Sequence, residues 1–198
     1  MLATIKQRLK NYPIIHAELA SNQQGSVAAV LLVLHGDANN PKLVLTERAK
    51  HLSNHGGEVA FPGGMWDMDD TNLLSTALRE TREEIGLLPS QVEPIAMLPN
   101  QSPRRGNIQV TPFVAWAESP FTLVPDSSEI ASVFHLPLDI AAQIDNYKYF
   151  ELAEASILFP YLEYRGYKIW GFTLKVIVDM LNTTIDAGIK LRYPTFLD

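Results

Sequence analysis

The chain has 198 residues and a net charge of −6, and 46% of its residues are apolar. This composition is typical of a folded protein and excludes a disordered chain, and we interpret residues 1–198 as a single domain. The net negative charge argues against nucleic acid or an anionic membrane surface as a partner. Because cysteine is absent, disulfide bonds, thiolate zinc sites and a cysteine nucleophile are excluded, and we expect a cytoplasmic protein.

Local patterns predict the elements of the first quarter of the chain. Residues 4–12 are expected to form a short helix, and residues 13–25 a loop. The β-branched, apolar run 27–34 predicts a strand that is covered on both faces. It is far shorter than the roughly 20 apolar residues that span a bilayer. A turn over 36–41 and a second strand over 42–46 complete a predicted hairpin.

The stretch from Phe61 to Leu87 carries the clearest chemical pattern. It has a Pro-Gly-Gly turn, an acidic run and a periodic segment that stops at Gly86. On a helix, Glu80, Glu83 and Glu84 would lie within an arc of about 100°, beside an apolar face. These like charges repel each other, and the helix C-terminus disfavours anions. Mg²⁺ or Mn²⁺ would neutralise them, since such hard cations prefer carboxylate oxygens and bind substrate phosphates.

Two interpretations of this acidic helix are open on its spacing alone. One is a solvated face with Arg79 and Arg82 as partial counterions, which is the commoner outcome for an arbitrary pair of adjacent glutamates. The other is a metal site that binds phosphate. The adjacent turn favours the second, because Gly63 and Gly64 lack a Cβ and allow the backbone to approach a ligand closely.

The same stretch resembles the Nudix box, whose family pattern is Gly, five residues, Glu, seven residues and Arg-Glu-x-x-Glu-Glu-x-Gly. The C-terminal half, RETREEIGL, matches throughout. In the N-terminal half, the spacing from Gly64 to Arg79 is one residue longer, and Asp70 stands where the family has its first Glu. The resemblance implies structural roles for Gly63, Asp70, Arg79 and Gly86, with Asp70 in the position of the acid that helps to hold the Arg.

The resemblance also implies a metal shell and a base. Glu80 and Glu84 would be the principal ligands of Mg²⁺ or Mn²⁺, and Glu83 and the Gly64 carbonyl would complete the shell. The base that takes a proton from water would be Glu83 or Glu129. The segment SSEIASVFHLPL, which contains Glu129, resembles the stretch that supplies an additional carboxylate in one branch of the family. The alternative for Glu129 is a surface acid that caps the following strand.

A second resemblance points to that branch, the coenzyme A pyrophosphatases. Their extended motif is Leu-Leu-Thr-x-Arg-Ser/Ala, three residues, Arg, three residues, Gly, three residues, Phe-Pro-Gly-Gly. The matching positions are Leu45, Thr46, Arg48, Ala49, Gly57, Phe61, Pro62, Gly63 and Gly64. Val44 is a conservative change, and Ser53 replaces the second Arg. Either Lys50, Arg104 or Arg105 substitutes for that cation, or the substrate is not coenzyme A itself.

Substrate phosphates are expected to lie near basic residues of two predicted loops. One loop precedes the Pro-Gly-Gly turn and the other joins two strands; a solvated loop is the alternative for the first. The candidate substrate-binding residues are Arg48, Lys50, His51, Arg104 and Arg105.

The remaining elements complete the predicted fold. Strands are predicted over 92–98, 109–117, 130–136, 147–152 and 156–164, and helices over 138–144 and 170–182. With the resemblance, these elements imply the α/β class and the Nudix fold, an α/β/α sandwich with a mixed β-sheet. The expected layout is an N-terminal helix and loop (1–25), a core (26–182) and a tail (183–198).

The implied reaction is divalent-metal-dependent hydrolysis of a diphosphate linkage in a small molecule. With coenzyme A or an acyl derivative, the products would be 3′,5′-ADP and 4′-phosphopantetheine. A Nudix hydrolase acting on ADP-ribose, NADH or a nucleoside triphosphate is the first alternative. A non-catalytic nucleotide-binding module and a purely structural acidic helix are the others, and the sequence leaves a homodimer open.

Overall fold

The structure is a computed structural model, and it describes residues 1–16, 23, 25–103, 107–118, 120–152 and 157–193. The helices are α1 (Leu2–Leu9), α2 (Leu73–Ile85), α3 (Leu138–Ala141) and α4 (Gly171–Ile185). The strands are β1 (Val27–Asp37), β2 (Asn40–Arg48), β3 (Val59–Ala60), β4 (Gly63–Met65), β5 (Val92–Met97), β6 (Gln109–Ala117), β7 (Ile130–Pro137), β8 (Tyr147–Leu152), β9 (Ile157–Tyr164) and β10 (Tyr167–Trp170).

The central sheet has seven strands and is mixed. Its main order is β3-β2-β1-β6-β5, with β4 paired to β1 and β7 paired to β2. β1 and β6 are parallel, whereas the β1–β2, β5–β6 and β2–β7 pairs are antiparallel. The predicted β1–β2 hairpin is confirmed, although its turn is tighter than 36–41, because the pairing continues to Asp37 and Asn40. A smaller sheet has the order β10-β9-β8.

Helices cover both faces of the central sheet. Side chains alternate along β1, so Ala29, Leu31 and Val33 pack towards α2 in one apolar cluster. Leu32 and Leu34 point to the opposite face, where a second cluster includes α1, α4 and the smaller sheet. This arrangement confirms the predicted α/β class and the helix-sheet-helix layers.

Some element boundaries differ from the predicted ones. α1 occupies 2–9 rather than 4–12, because Ile5 and Leu9, one turn apart, are both fully buried. α4 continues past residue 182 to Ile185, where the buried Thr184 hydroxyl donates to the Met180 carbonyl. In the described ranges, no helix combines the length and apolar character needed to cross a membrane. The cytoplasmic location stays a prediction.

The fold brings three separate segments to one end of α2. β4 pairs with β1, Gly64 with Ala29 and Gly63 with Val30, and Gly64 lies against Glu80 of α2. β2 ends at Arg48 on the same side of the sheet. A loop after β6 reaches the last turn of the helix through the Asp126 N–H, which donates to the Glu84 carbonyl at 2.9 Å.

Candidate active site

The two glycines of β4 allow a carboxylate to lie against the backbone. Gly63 has a φ of +149°, and a Cβ at this position would collide with the carbonyl oxygen of Ala29 in β1. A Cβ on Gly64 would lie 2.5 Å from the carboxyl carbon of Glu80. Only glycine therefore fits both positions without displacing a neighbouring group. The side chain of Glu80 occupies the space that a Cβ on Gly64 would fill.

The helix that carries the glutamates is capped at both ends. At its start, the Asn72 side chain accepts a hydrogen bond from the Ser75 N–H, and the Ser75 hydroxyl accepts one from the Asn72 N–H, each at 3.0 Å. At its end, Gly86 adopts the left-handed conformation with a φ of 72°. These caps satisfy terminal backbone groups and fix the register of the acidic face.

Glu84 is the most enclosed carboxylate of the site, with 4% of its side chain exposed. Its Oε2 accepts a hydrogen bond from the Gly63 N–H at 3.0 Å, and its Oε1 accepts one from Arg48 Nη1 at 3.3 Å. Burial raises the pKa of Glu84 to about 7 against the effect of these two donors, and the charges of Glu80 and Glu129 add to the rise. The charge of this carboxylate is therefore only partly compensated by the protein.

Arg79 donates five hydrogen bonds, three of which connect the acidic helix to the segment before it. Its Nε and Nη2 donate to the two carboxylate oxygens of Asp70, both at 2.9 Å, and Nη2 also donates to the Met65 carbonyl at 3.2 Å. Its Nη1 donates to Glu80 at 2.8 Å and to Glu83 at 3.0 Å. The implied contact between Asp70 and Arg79 thus forms with a bidentate geometry, despite the shorter acid and the longer spacing.

The ionisation of the Asp70–Arg79 pair follows from this geometry. Burial opposes the charged form of Asp70, but the hydrogen bonds from Arg79, Asp67 and Thr76 outweigh it and lower the pKa. The Asp70 hydrogen bond raises the pKa of Arg79. Both groups are therefore charged at neutral pH, and their pairing is a fixed part of the site.

Glu80 and Glu83 differ in their surroundings. The side chain of Glu80 is 20% exposed, and burial raises its pKa while the hydrogen bond from Arg79 opposes the rise. Glu83 is 49% exposed and contacts Arg79 and, at 3.8 Å, Arg82. Glu80 therefore lies inside the site, and Glu83 at its solvent edge.

The loop that carries Glu129 folds back over the end of α2. Besides the Asp126 contact, the Val124 N–H donates to the Ile85 carbonyl at 2.8 Å, and the Ala49 N–H donates to the Glu129 carbonyl at 2.7 Å. The negative charge of Glu129 raises the pKa of both Glu80 and Glu84, so its carboxylate lies within electrostatic range of them. The structure thus brings the carboxylate of a distant loop to the acidic helix.

The predicted basic residues divide into three groups. Arg48 lies in the site and contacts Glu84. Lys50 and His51 lie at the exposed start of the turn that follows β2. Arg104 and Arg105 lie outside the described residues. Within the described part, Arg48 is therefore the predicted phosphate-binding residue that directly contacts the acidic helix.

The donor set fits a hard divalent cation. The Glu84 carboxylate is buried, and the charges of Glu80 and Glu129 add to the rise in its pKa that burial causes. Carboxylate and backbone carbonyl oxygens are the ligands that Mg²⁺ and Mn²⁺ prefer. Among the residues that the structure describes, no group of three or more acidic, histidine or cysteine side chains is arranged to hold an ion as it stands. The side chains of Glu80 and Glu84 each have an arginine partner instead, Arg79 for Glu80 and Arg48 for Glu84.

Two features of the site were not predicted from the sequence. The Met65 carbonyl accepts a hydrogen bond from Arg79, and a backbone acceptor of this kind leaves no sequence signal. The Asn72–Ser75 cap does leave one, because an Asn three residues before a short hydroxyl side chain at the start of an apolar period favours a helix N-terminus.

Comparisons with known proteins agree with this geometry. The NUDIX domain family matches residues 25–157. A protein of Salmonella newport (strain SL254) named uncharacterized Nudix hydrolase NudL is 30% identical over 94% of this chain and 96% of its own length. A protein of the same name from Salmonella paratyphi B has the same identity and coverage.

Solved structures show the same fold at lower identity. A Nudix hydrolase from M. smegmatis, RenU, has a TM-score of 0.55 and 21% identity, over 85% of this chain and 90% of that one. A MutT/nudix family protein from Enterococcus faecalis has a TM-score of 0.53 and 16% identity, over 94% of this chain and 70% of that one. With the family match and the NudL relatives, they lead to one conclusion: this chain belongs to the Nudix family and is a Nudix hydrolase.

Proposed function

We propose that this Nudix hydrolase cleaves the diphosphate linkage of coenzyme A or an acyl derivative, with Mg²⁺ or Mn²⁺, to 3′,5′-ADP and 4′-phosphopantetheine. The observation that carries the metal-dependent part is the buried, under-compensated Glu84 beside the Gly63–Gly64 bend. The coenzyme A part is supported by the motif from Leu45 to Gly64, whose Arg48 contacts Glu84.

In this proposal, Glu80, Glu84 and the Gly64 carbonyl hold the cation, and Glu83 completes the shell from the solvent edge. When bound, the cation withdraws charge from the diphosphate and lowers the pKa of water beside it. Glu80 lies against Gly64, so its carboxylate and the Gly64 backbone can bind on the same side of the ion.

Arg48 is suited to bind a substrate phosphate. Its side chain is 27% exposed and forms an ion pair with Glu84 at 3.3 Å. A long contact of this kind can be exchanged for a phosphate oxygen, for which the planar guanidinium is a good match. Arg79 is unsuited to this role, because five hydrogen bonds already engage its guanidinium.

Glu129 is the better candidate for the base that takes the proton from water. The Glu83 carboxylate already accepts a hydrogen bond from Arg79 at 3.0 Å. Glu129 is exposed and lies on a loop that is fixed to Ala49 and to the end of α2. Its carboxylate is therefore accessible to a water molecule.

A second function has one observation in its favour. Ser53 stands where the coenzyme A branch has its second Arg, and it lies in the exposed turn between β2 and β3. A neutral hydroxyl binds phosphate less strongly than a guanidinium. A Nudix hydrolase acting on ADP-ribose, NADH or a nucleoside triphosphate is therefore the alternative.

A substrate panel separates these functions. Coenzyme A, ADP-ribose, NADH and a nucleoside triphosphate are incubated with the protein and Mg²⁺ or Mn²⁺, and the products are identified by mass spectrometry. We expect 3′,5′-ADP and 4′-phosphopantetheine from coenzyme A at the highest kcat/KM. Preferential cleavage of another substrate would contradict the coenzyme A assignment, and no cleavage of any would favour a binding module.

A further inference from the structure

Trp66 joins the glycine bend, Gly63 and Gly64, to the loop that carries Asp67 and Asp70. It follows β4 directly, and its side chain is buried, with 6% exposed. Its indole Nε1–H donates to the backbone carbonyl of Asp70 at 3.1 Å, and its own backbone N–H donates to the Val27 carbonyl at 3.1 Å. The residue therefore ties the backbone of Asp70 to β1, the strand that also pairs with the glycine bend.

The segment that Trp66 holds is a tight turn closed by the Asp70 carboxylate. The Asp70 N–H donates to the Asp67 carbonyl at 3.0 Å, and the Asp67 N–H donates to Asp70 Oδ2 at 3.1 Å. The same carboxylate receives both donors from Arg79. Its direction is thus set by the turn on one side and by the guanidinium on the other.

This arrangement matters because an aspartate has little reach of its own. Its carboxylate is one methylene closer to the backbone than that of the glutamate in the Nudix pattern, and the chain between the glycine and the arginine is one residue longer. Arg79 can be gripped by both oxygens only if the backbone of Asp70 is held close to it. The indole N–H of Trp66 is a side-chain donor that fixes that backbone from outside the turn.

We propose that Trp66 is a positioning residue for the metal site. It acts through Asp70 on Arg79, whose remaining N–H groups hold Glu80, Glu83 and the Met65 carbonyl. Loss of the indole N–H leaves a buried carbonyl without this donor and loosens the turn. This inference rests on the proposed function in one respect, the role of Glu80 as a metal ligand.

The sharpest test removes the N–H and keeps the ring. Trp66 is replaced by its benzothiophene analogue, in which sulfur stands in place of the indole N–H, and binding of Mn²⁺ is measured by electron paramagnetic resonance. We expect the dissociation constant of Mn²⁺ to rise roughly tenfold, as for other residues that support metal ligands indirectly. The Mg²⁺ concentration for half-maximal hydrolysis should rise in parallel, while KM for the substrate at saturating Mg²⁺ stays unchanged.

Trp116 provides the matched control. It is buried to a similar degree, with 8% exposed, but lies in the apolar cluster on the face of the sheet opposite α2. The same analogue at this position should leave Mn²⁺ binding unchanged. Equal weakening by both replacements would show a general packing effect and overturn the proposal.

A double-mutant cycle tests the route through Arg79. Arg79→Lys removes the bidentate grip on Asp70, so the analogue at position 66 should weaken Mn²⁺ binding less than twofold in that background. Additive effects of the two changes would overturn the proposal. Unchanged binding by the analogue in the otherwise wild-type protein would overturn this inference alone, whereas a wild-type protein that binds no Mn²⁺ would contradict the proposed function and, with it, the role of Trp66.

Discussion

The Glu84 carboxylate accepts a hydrogen bond from the Gly63 N–H at 3.0 Å. This contact joins the last turn of α2 to the glycine bend of β4. Gly63 has a φ of +149°, a backbone conformation that residues with a Cβ rarely adopt. The bend and the acidic helix are thus one unit, and changes to either should affect the same property, the binding of a divalent cation.

The two adjacent glycines should respond differently to substitution by alanine. A Cβ at Gly63 would meet backbone atoms of β1 at a positive φ, so Gly63→Ala should destabilise the fold by at least ~2 kcal/mol. The atoms nearest to a Cβ at Gly64 belong to the end of the Glu80 side chain, which can move. Gly64→Ala should therefore retain stability and weaken Mn²⁺ binding. Urea unfolding and Mn²⁺ titration measure the two effects, and the reverse pattern would contradict the assignment.

Arg48→Ala should mainly raise KM. The guanidinium is expected to bind a substrate phosphate, and loss of a charged hydrogen bond of this kind corresponds to about a tenfold rise or more. Steady-state kinetics at saturating Mg²⁺ measure it. Lys42→Ala is the matched control, because Lys42 is an exposed cation on the same strand, far from the glycine bend. An unchanged KM in Arg48→Ala would remove this residue from the site.

Glu129→Gln and Glu83→Gln should separate the base from the outer ligand. If Glu129 takes the proton, its replacement should lower kcat by about 100-fold or more while Mn²⁺ still binds. Glu83→Gln should lower kcat less, since its carboxylate is already held by Arg79. Single-turnover rates combined with Mn²⁺ titrations distinguish the two. A larger loss in Glu83→Gln would assign the base to that residue.

The His35–His135 pair predicts a loss of stability in mild acid. His35 Nε2 and His135 Nδ1 lie 2.6 Å apart, and burial, then the charges of His135 and Lys42, lower the pKa of His35 to about 4. The unfolded chain binds this proton near pH 6.5, so unfolding takes up a proton between the two values. The free energy of unfolding should therefore fall as pH falls from 6.5 to 5.

The variant His35→Gln isolates that contribution. Urea unfolding at pH 6.5 and pH 5 should show a smaller loss of stability in the variant than in the wild-type protein. Glu84, whose pKa is raised to about 7, also takes up a proton in this range, but it is present in both proteins and cancels in the comparison. Equal slopes in the two proteins would show that the pair is not responsible.

Much of the fold could be predicted from local patterns. The run that forms β1 is apolar on both faces, and the structure covers both. The partition of the elements between the two faces could not be predicted, because it depends on pairings such as the parallel β1–β6 contact. The bounds of α1 and α4 differ from those that local patterns predict. Buried side chains, Ile5 in α1 and Thr184 in α4, account for the difference.

The candidate site also combines features that local patterns predict with features that depend on the folded chain. The acidic face of α2 and the glycine bend follow from the sequence, since helical spacing and the lack of a Cβ are local properties. The contact of Arg48 with Glu84 joins residues 36 positions apart and requires the sheet to be formed. The resemblance implied the contact between Asp70 and Arg79, but its bidentate geometry could not be predicted, because the turn that brings a short acid to the arginine depends on its own internal hydrogen bonds.

The most direct test of the central claim is the rate at which 3′,5′-ADP is released from coenzyme A in Mg²⁺ by the wild-type protein and by Glu84→Gln. The variant keeps the shape of the side chain and an acceptor for the Gly63 N–H, but removes the charge. We predict release by the wild-type protein and a rate about 100-fold lower in the variant, with no fall in its unfolding midpoint. Hydrolysis by the variant at close to the wild-type rate would contradict the assignment of Glu84 as a metal ligand.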